Sequence, residues 1–166
     1  IGRFSKQKNH EYLIEIFKNI LMRQTDSYLL LVGDGELLKS VKDKVETLGI
    51  SNSVKFLGNR NDVPELLMAA DFLCFPSYFE GMPNVIIEAQ GTGLPCLISD
   101  TITREANITD IVKYISLKNK NSIEWANKAI NMGQKNIYRE TINEKIKKAG
   151  YDINDVAKRF EKIIFG

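Results

Sequence analysis

Two carboxylates, Glu80 and Glu88, stand with seven residues between them in the stretch Phe79-Glu80-Gly81-Met82-Pro83-Asn84-Val85-Ile86-Ile87-Glu88-Ala89. A loop acid is followed by Gly, then Pro, then an apolar run and a second acid. The run Val85-Ile86-Ile87, continued by Ala89-Gln90, predicts the start of a helix behind a tight turn. That arrangement places backbone N–H groups and Glu88 at a helix N-terminus, beside Glu80 on the loop. Unpaired N–H groups there suit a phosphate. A carboxylate only accepts hydrogen bonds, so the acids suit neutral hydroxyl groups. A site offering both matches a ligand that carries phosphate and hydroxyls together, as a sugar nucleotide does.

The surrounding elements must position these groups. Leu13, Ile14, Phe17, Ile20 and Leu21 recur at helical spacing over residues 10–24, with Asn9 as the expected N-cap. Tyr28-Leu29-Leu30-Leu31-Val32 is a short apolar run ending at Gly33-Asp34-Gly35, which fits a strand buried on both faces. Leu37, Leu38, Val41, Val45 and Leu48 form a second helical stripe, closed by Gly49 at C′. A strand over 54–57, a helix over 63–70 and a buried strand over 72–75 follow. The Glu88 helix ends near Gly91 or Gly93, and strands are expected at 95–98 and 111–115. Helices are expected near 122–132, 138–149 and 153–164. Alternating strands and helices with apolar strands predict a parallel sheet covered by helices on both faces, a Rossmann-like α/β fold. The chain of 166 residues fits one domain spanning 1–166.

In such sheets ligands bind beyond the carboxyl ends of the strands. The loops expected to share that edge are 2–8, 33–35, 58–60, 77–84 and 100–103. Glycine at the turn of three of them permits positive φ and close approach of a ligand to backbone. Arg3 and Lys8, directly after what looks like the end of a first strand, put two cations where a diphosphate could lie.

Composition narrows the rest. A hydrophobic fraction of 43% with 27% charged residues is that of a soluble globular protein. No apolar run approaches the roughly 18–20 residues that span a bilayer. The opening Ile1-Gly2-Arg3-Phe4 lacks Met and any signal-like apolar segment, so the chain is expected to be a piece of a longer protein. A net charge of +2 is too small to argue for nucleic acid. The lysines and arginines thickening toward the end (Lys145, Lys147, Lys148, Lys158, Arg159, Lys162) are expected to be a solvated helix face, with attraction to anionic lipid as the minority reading. Cys74 and Cys96 sit in apolar runs and are expected to be buried thiols. With one histidine, no CxxC and no Asp-x-Asp, no metal is expected; Arg3, Lys8 and the helix N-terminus near Asn84 would supply positive potential instead.

These residues together resemble the C-terminal, donor-binding half of retaining glycosyltransferases of the GT-B fold, specifically family 4, the glycosyl transferases group 1 type. The resemblance runs from Gly2-Arg3 and Lys8 through Val32-Gly33-Asp34-Gly35 and Phe56-Leu57-Gly58 to Pro76-Ser77, Glu80-Gly81, Glu88-Ala89 and Gly93-Leu94-Pro95. The stretch from Gly93 to Thr103 further looks like the subgroup that builds bacterial capsules and exopolysaccharides.

The resemblance implies roles. Arg3 and Lys8 would grip the donor diphosphate, Glu80 would face the transferred sugar, and Glu88 would accept from the ribose hydroxyls. Glu80, Arg3 and Lys8 would then be the catalytic set. Gly2, Gly33, Asn59, Arg60, Gly81, Met82, Asn84 and Val85 would complete the donor site, with Met82 and Asn84 donating where Pro83 has no N–H. It implies a nucleotide-sugar donor, a glycan or lipid-linked acceptor bound by an absent N-terminal domain, and no cofactor. It implies a cytoplasmic enzyme, with peripheral contact at the inner face of the membrane for the full-length protein. This half alone is expected to bind donor weakly and turn nothing over.

Read without the resemblance, Glu88 could cap its own helix, Glu80 could be a plain loop acid and Arg60 a surface residue. His10 is expected to be solvated, Tyr78 and Phe79 to pack under their loop, and Trp125 to be core or interface. Two rivals remain: a nucleotide-binding module without catalysis, and a nucleotide-sugar epimerase of the same fold. The first has little use for Glu80, and the second needs acids or histidines that this stretch lacks.

Overall fold

The computed structural model describes residues 1–133 and 139–165. Its helices form where apolar periodicity lies. The first, α1 (His10–Leu21), buries Leu13, Ile14, Phe17 and Ile20 on one stripe. The second, α2 (Leu38–Thr47), buries Val41 and Val45. It is closed by Gly49, whose φ of +67° and N–H bond to Glu46 O are a left-handed stop. Two short helices, α3 (Val63–Ala69) and α4 (Asn84–Gly91), follow. The last three are α5 (Ser122–Gly133), α6 (Arg139–Lys148) and α7 (Ile153–Phe165). The expected start of α6, residue 138, lies outside the described residues.

Five parallel strands stand between them among the described residues. β1 (Leu29–Val32) pairs with β2 (Val54–Gly58), matching Leu29 with Val54 and Leu31 with Phe56. β3 (Leu73–Phe75), β4 (Cys96–Ser99) and β5 (Val112–Ile115) form a second ladder in that order, with Cys74 opposite Leu97 and Leu97 opposite Lys113. β4 and β5 are joined by a loop with a single 3-10 turn, Arg104–Ala106.

Helices cover both faces, as the alternation predicts. Leu97 and Ile115 point into a core shared with α1, α2 and α5, where Trp125 is fully buried and donates its indole N–H to Ser116 O. Cys96, Ile98 and Val112 point the other way, against Leu67 of α3 and Ile86 and Ala89 of α4. By contrast α7 leaves Phe160, Ile163, Ile164 and Phe165 exposed, beside solvated Lys158, Arg159 and Lys162.

Among the described residues the strand pairs fall into these two ladders, with an apolar slot of about 480 Å³ beside Ile1 that Leu29–Val32 line on one side and Phe72, Leu73 and Cys74 on the other. No strand forms at residues 1–4; that segment only grazes the far end of β1, where Gly2 N–H donates to Val32 O. The run 28–32 is not buried throughout: Leu31 and Val32 are buried, whereas Leu30 is 38% exposed and Tyr28 65%.

Candidate donor-binding edge

Main-chain bonds tie the loops at the carboxyl ends of the strands to one another. Phe4 N–H donates to Asp34 O, Gly33 N–H to Gly58 O, and Tyr78 N–H to Gln7 O. The hydroxyls of Ser99 and Thr101 both donate to Ser77 O. The five loops expected to share an edge do share it.

Glycines 33 and 35 serve this belt in a way their sequence hides. Their φ angles are +130° and +157°. A Cβ on Gly33 would lie 2.2 Å from Gly2 O, and one on Gly35 2.6 Å from Phe4 N. The backbone that comes close is the chain's own segment 2–4, where the sequence suggests a ligand.

A concavity of about 290 Å³ opens along the belt, lined by Gly2, Arg3, Gly33, Asp34, Asn59 and Arg60. The larger slot between the ladders is walled mainly by apolar side chains, with Asp26 and Asp71 on its lining, and holds none of Arg3, Lys8, Glu80 and Glu88. The two arginines are held at the rim by acids. Arg3 Nε is 3.1 Å from Glu36 Oε2, and Arg60 grips Asp62 at 2.8 and 2.6 Å. The guanidinium hydrogen bond lowers the Asp62 carboxyl below its ordinary value.

Lys8 and Glu80 are held differently. Lys8 Nζ lies 2.8 Å from Glu80 Oε1, with side chains only 19% and 9% exposed. The ammonium also sits 4.7 Å from the centre of the Phe75 ring, and a Cβ on Gly2 would press on Lys8 Cε at 3.1 Å. A paired charge so withdrawn from water is costly to separate, since either partner alone would be a desolvated ion. Arg3 and Lys8, expected to act as a pair, are thus engaged by two different acids.

Glu88 corrects another expectation. α4 begins at Asn84 after Pro83, so Glu88 lies in the second turn and the first turn holds no acid. It cannot cap its helix. Its carboxylate is exposed and has no hydrogen-bond or ion-pair partner among the described residues. The first-turn N–H groups of Asn84 and Val85 have no acceptor within the helix. Gly81 and Met82 are exposed on the preceding loop. Tyr78 and Phe79 do not pack beneath it: they are 37% and 62% exposed.

His10 is buried, not solvated, and stacks on Phe4 with ring centroids 4.2 Å apart. Burial, aided by the nearby terminal amine and the Lys8 charge, pushes its pKa down to about 4. Asn9 does not cap α1 through its side chain. It adopts φ +55°, ψ +42° and sends Nδ2 to Pro76 O at 3.0 Å. Gln90, fully buried, donates to Ala106 O and Ile86 O and accepts from Thr109 and from the Ile108 N–H, fastening loop 104–110 to α4. Its one legible signal is a polar residue one turn from Ile86 on an apolar stripe. Cys96 is buried and Cys74 half-buried; burial pushes both thiols up, Cys74 to about 12. Among the described residues no three His, Cys, Asp or Glu side chains converge as metal ligands would, and no helix is long and apolar enough to cross a membrane.

Comparison with known proteins gives concordant matches. The family model described as glycosyl transferases group 1 matches residues 1–149. EpsF of Bacillus subtilis (strain 168), a glycosyltransferase by name, is 34% identical over 156 residues, which is 92% of this chain and 40% of that protein. The Escherichia coli UDP-Gal:alpha-D-GlcNAc-diphosphoundecaprenol alpha-1,3-galactosyltransferase is 43% identical over 103 residues, 60% of this chain and 27% of that one. The chain thus spans well under half the length of these relatives. Among solved structures, a variant of S. aureus TarM in complex with Fondaparinux, alpha-GlcNAc-glycerol and UDP superposes with a TM-score of 0.82 at 16% identity, over 99% of this chain and 34% of that one. That likeness establishes the fold.

Proposed function

The chain belongs to the glycosyl transferases group 1 family, and on that premise we propose that it is the donor-binding half of an enzyme that transfers a sugar from a nucleotide diphosphate to an acceptor hydroxyl with retention. The observation that carries this reading is the edge itself: a concavity lined by Gly2, Arg3, Gly33, Asn59 and Arg60, beside the Lys8–Glu80 pair and the first turn of α4. The nucleotide lies along the concavity, with its base toward Asn59 and Arg60. Exposed Glu88 accepts from the ribose hydroxyls. The diphosphate lies toward Lys8, Arg3 and the N–H groups of Met82, Asn84 and Val85, which stabilise the charge that grows as the sugar–phosphate bond breaks. Glu80 orients the sugar. The acceptor oxygen forms the new bond on the face the diphosphate leaves, and its proton passes to a departing phosphate oxygen. No metal is needed in this scheme, because the cations and helix terminus supply the positive potential.

UDP is the proposed nucleotide, since both the Escherichia coli relative and the TarM complex name it. Capsule or exopolysaccharide synthesis in the cytoplasm, at the inner face of the membrane, is the proposed setting. The exposed apolar residues of α7 beside Lys158, Arg159 and Lys162 support membrane contact. The acceptor binds a domain outside this stretch, so the 166 residues alone bind donor without turnover. Calorimetric titration with UDP, GDP, ADP and UDP-sugars, first without metal and then with magnesium, tests the reading. Metal-independent UDP binding that Glu88→Ala weakens supports it. A nucleotide affinity that Glu88→Ala leaves untouched removes Glu88 from the site.

A further inference from the structure

Lys8 and Glu80 belong to segments 72 residues apart in the chain, and the side chain expected to cap α1 joins those segments instead. Asn9 directly follows Lys8. Its Nδ2 donates to Pro76 O at 3.0 Å, in a buried contact four residues ahead of Glu80. Its own carbonyl accepts from the N–H groups of Tyr12 and Leu13, so it also starts α1. Two further bonds run parallel: Tyr78 N–H to Gln7 O, and Gln7 Nε2 to Phe79 O, both at 2.9 Å. Asn9 is 8% exposed, whereas the Gln7–Phe79 bond is open to water.

Asparagine suits the demands at position 9 better than its nearest substitutes. A φ of +55° favours Gly, Asn or Asp. Glycine has no amide to donate. Aspartate would face the Pro76 carbonyl with a buried acceptor instead of a donor. We infer that Asn9 is a positioning residue: its left-handed turn and its bond to Pro76 O set the distance between Lys8 and Glu80. Its importance for donor binding rests on the functional reading above; its effect on the ion pair does not.

The test uses the whole 166-residue chain and its Asn9→Gly and Asn9→Asp variants. Glycine keeps the turn and removes the bond; aspartate keeps size and turn and inverts the bond's polarity. Reductive methylation with formaldehyde and borane, mapped by peptide mass, reports how firmly the Lys8 amine is held, with Lys55 and Lys113 as internal references. Asn9→Gly is expected to speed Lys8 methylation about fivefold, the factor that corresponds to one buried hydrogen bond, while the references hold steady. Asn9→Asp is expected to exceed that. UDP affinity is expected to fall in the same order, and Asn9→Gly to cause no further loss in a Lys8→Met background. A lower melting temperature with an unchanged Lys8 rate would assign Asn9 to helix initiation alone and overturn the inference. Absence of UDP binding by the parent chain would defeat the functional reading, while the methylation rates still decide the role of Asn9. If Asn9→Gly fails to fold, Asn9→Asp and Gln7→Leu carry the same comparison.

Discussion

The two parts of the sheet are built from similar apolar runs yet reach different states. Cys96–Ser99 of β4 is buried along its whole length, with β3 and β5 on its edges and helices on its faces. Leu29–Val32 of β1 has β2 on one edge and the apolar slot on the other, and Leu30 is more exposed than a central strand residue should be. Hydrophobicity is the same kind of signal in both. What separates them among the described residues is that β4 has a strand on each edge and β1 on one.

Substitutions sharpen the contrast. Leu97→Ala in β4 should cost about 3–4 kcal/mol in denaturant unfolding, by transfer and cavity together, while Leu30→Ala in β1 should cost under about 1 kcal/mol. Equal losses would mean that the slot is closed in solution. Gly33→Ala strikes where the first part meets segment 2–4. With Cβ 2.2 Å from Gly2 O, the loop must move, at about 2–3 kcal/mol, and the nucleotide concavity should deform with it. A variant as stable as the parent would show that the belt relaxes freely.

The first part should also be the acid-sensitive one. His10 titrates near 4 in the folded chain and near 6.5 unfolded, so the unfolded state binds the extra proton between those values. Stability attributable to His10 is intact above pH 6.5 and falls as pH drops toward 4, by on the order of 3 kcal/mol. Replacing His10 with Phe should flatten that stretch of the curve; an unchanged slope would assign it to carboxylates. The gentlest probe needs no substitution. Cys74 lines the slot and Cys96 lies in β4, so an alkylating reagent should reach Cys74 first, slowly because both thiols are held protonated. Labelling of Cys96 first would reverse the assignment of open and closed parts.

Much of this was legible in the chain. The stripes of α1 and α2, the Gly49 stop and the five loops on one edge follow from periodicity and turn chemistry, which are local. What failed was non-local. The run 28–32 cannot reveal that Leu30 is left 38% exposed while Leu31 is buried. His10 looks like a first-turn polar residue until Phe4 arrives to stack on it. The expected acid in the first turn of α4 missed by one turn, because Pro83 fixes the helix start at Asn84 and so leaves Glu88 beyond it. Asn9 reads as a polar residue before a helix, yet its side chain meets Pro76 O and no helix N–H. Arg3 and Lys8 read as cations, but which acid each meets depends on loops that only the fold brings near.

The belt of hydrogen bonds along the loop edge has a mechanical consequence. Bonds of this kind act as short tethers, each joining a loop to a neighbour far away in the chain. A displacement of one loop is then handed along the margin from tether to tether, and the Lys8–Glu80 pair, seated beside the Tyr78–Gln7 tether, would shift only together with the two segments that carry it.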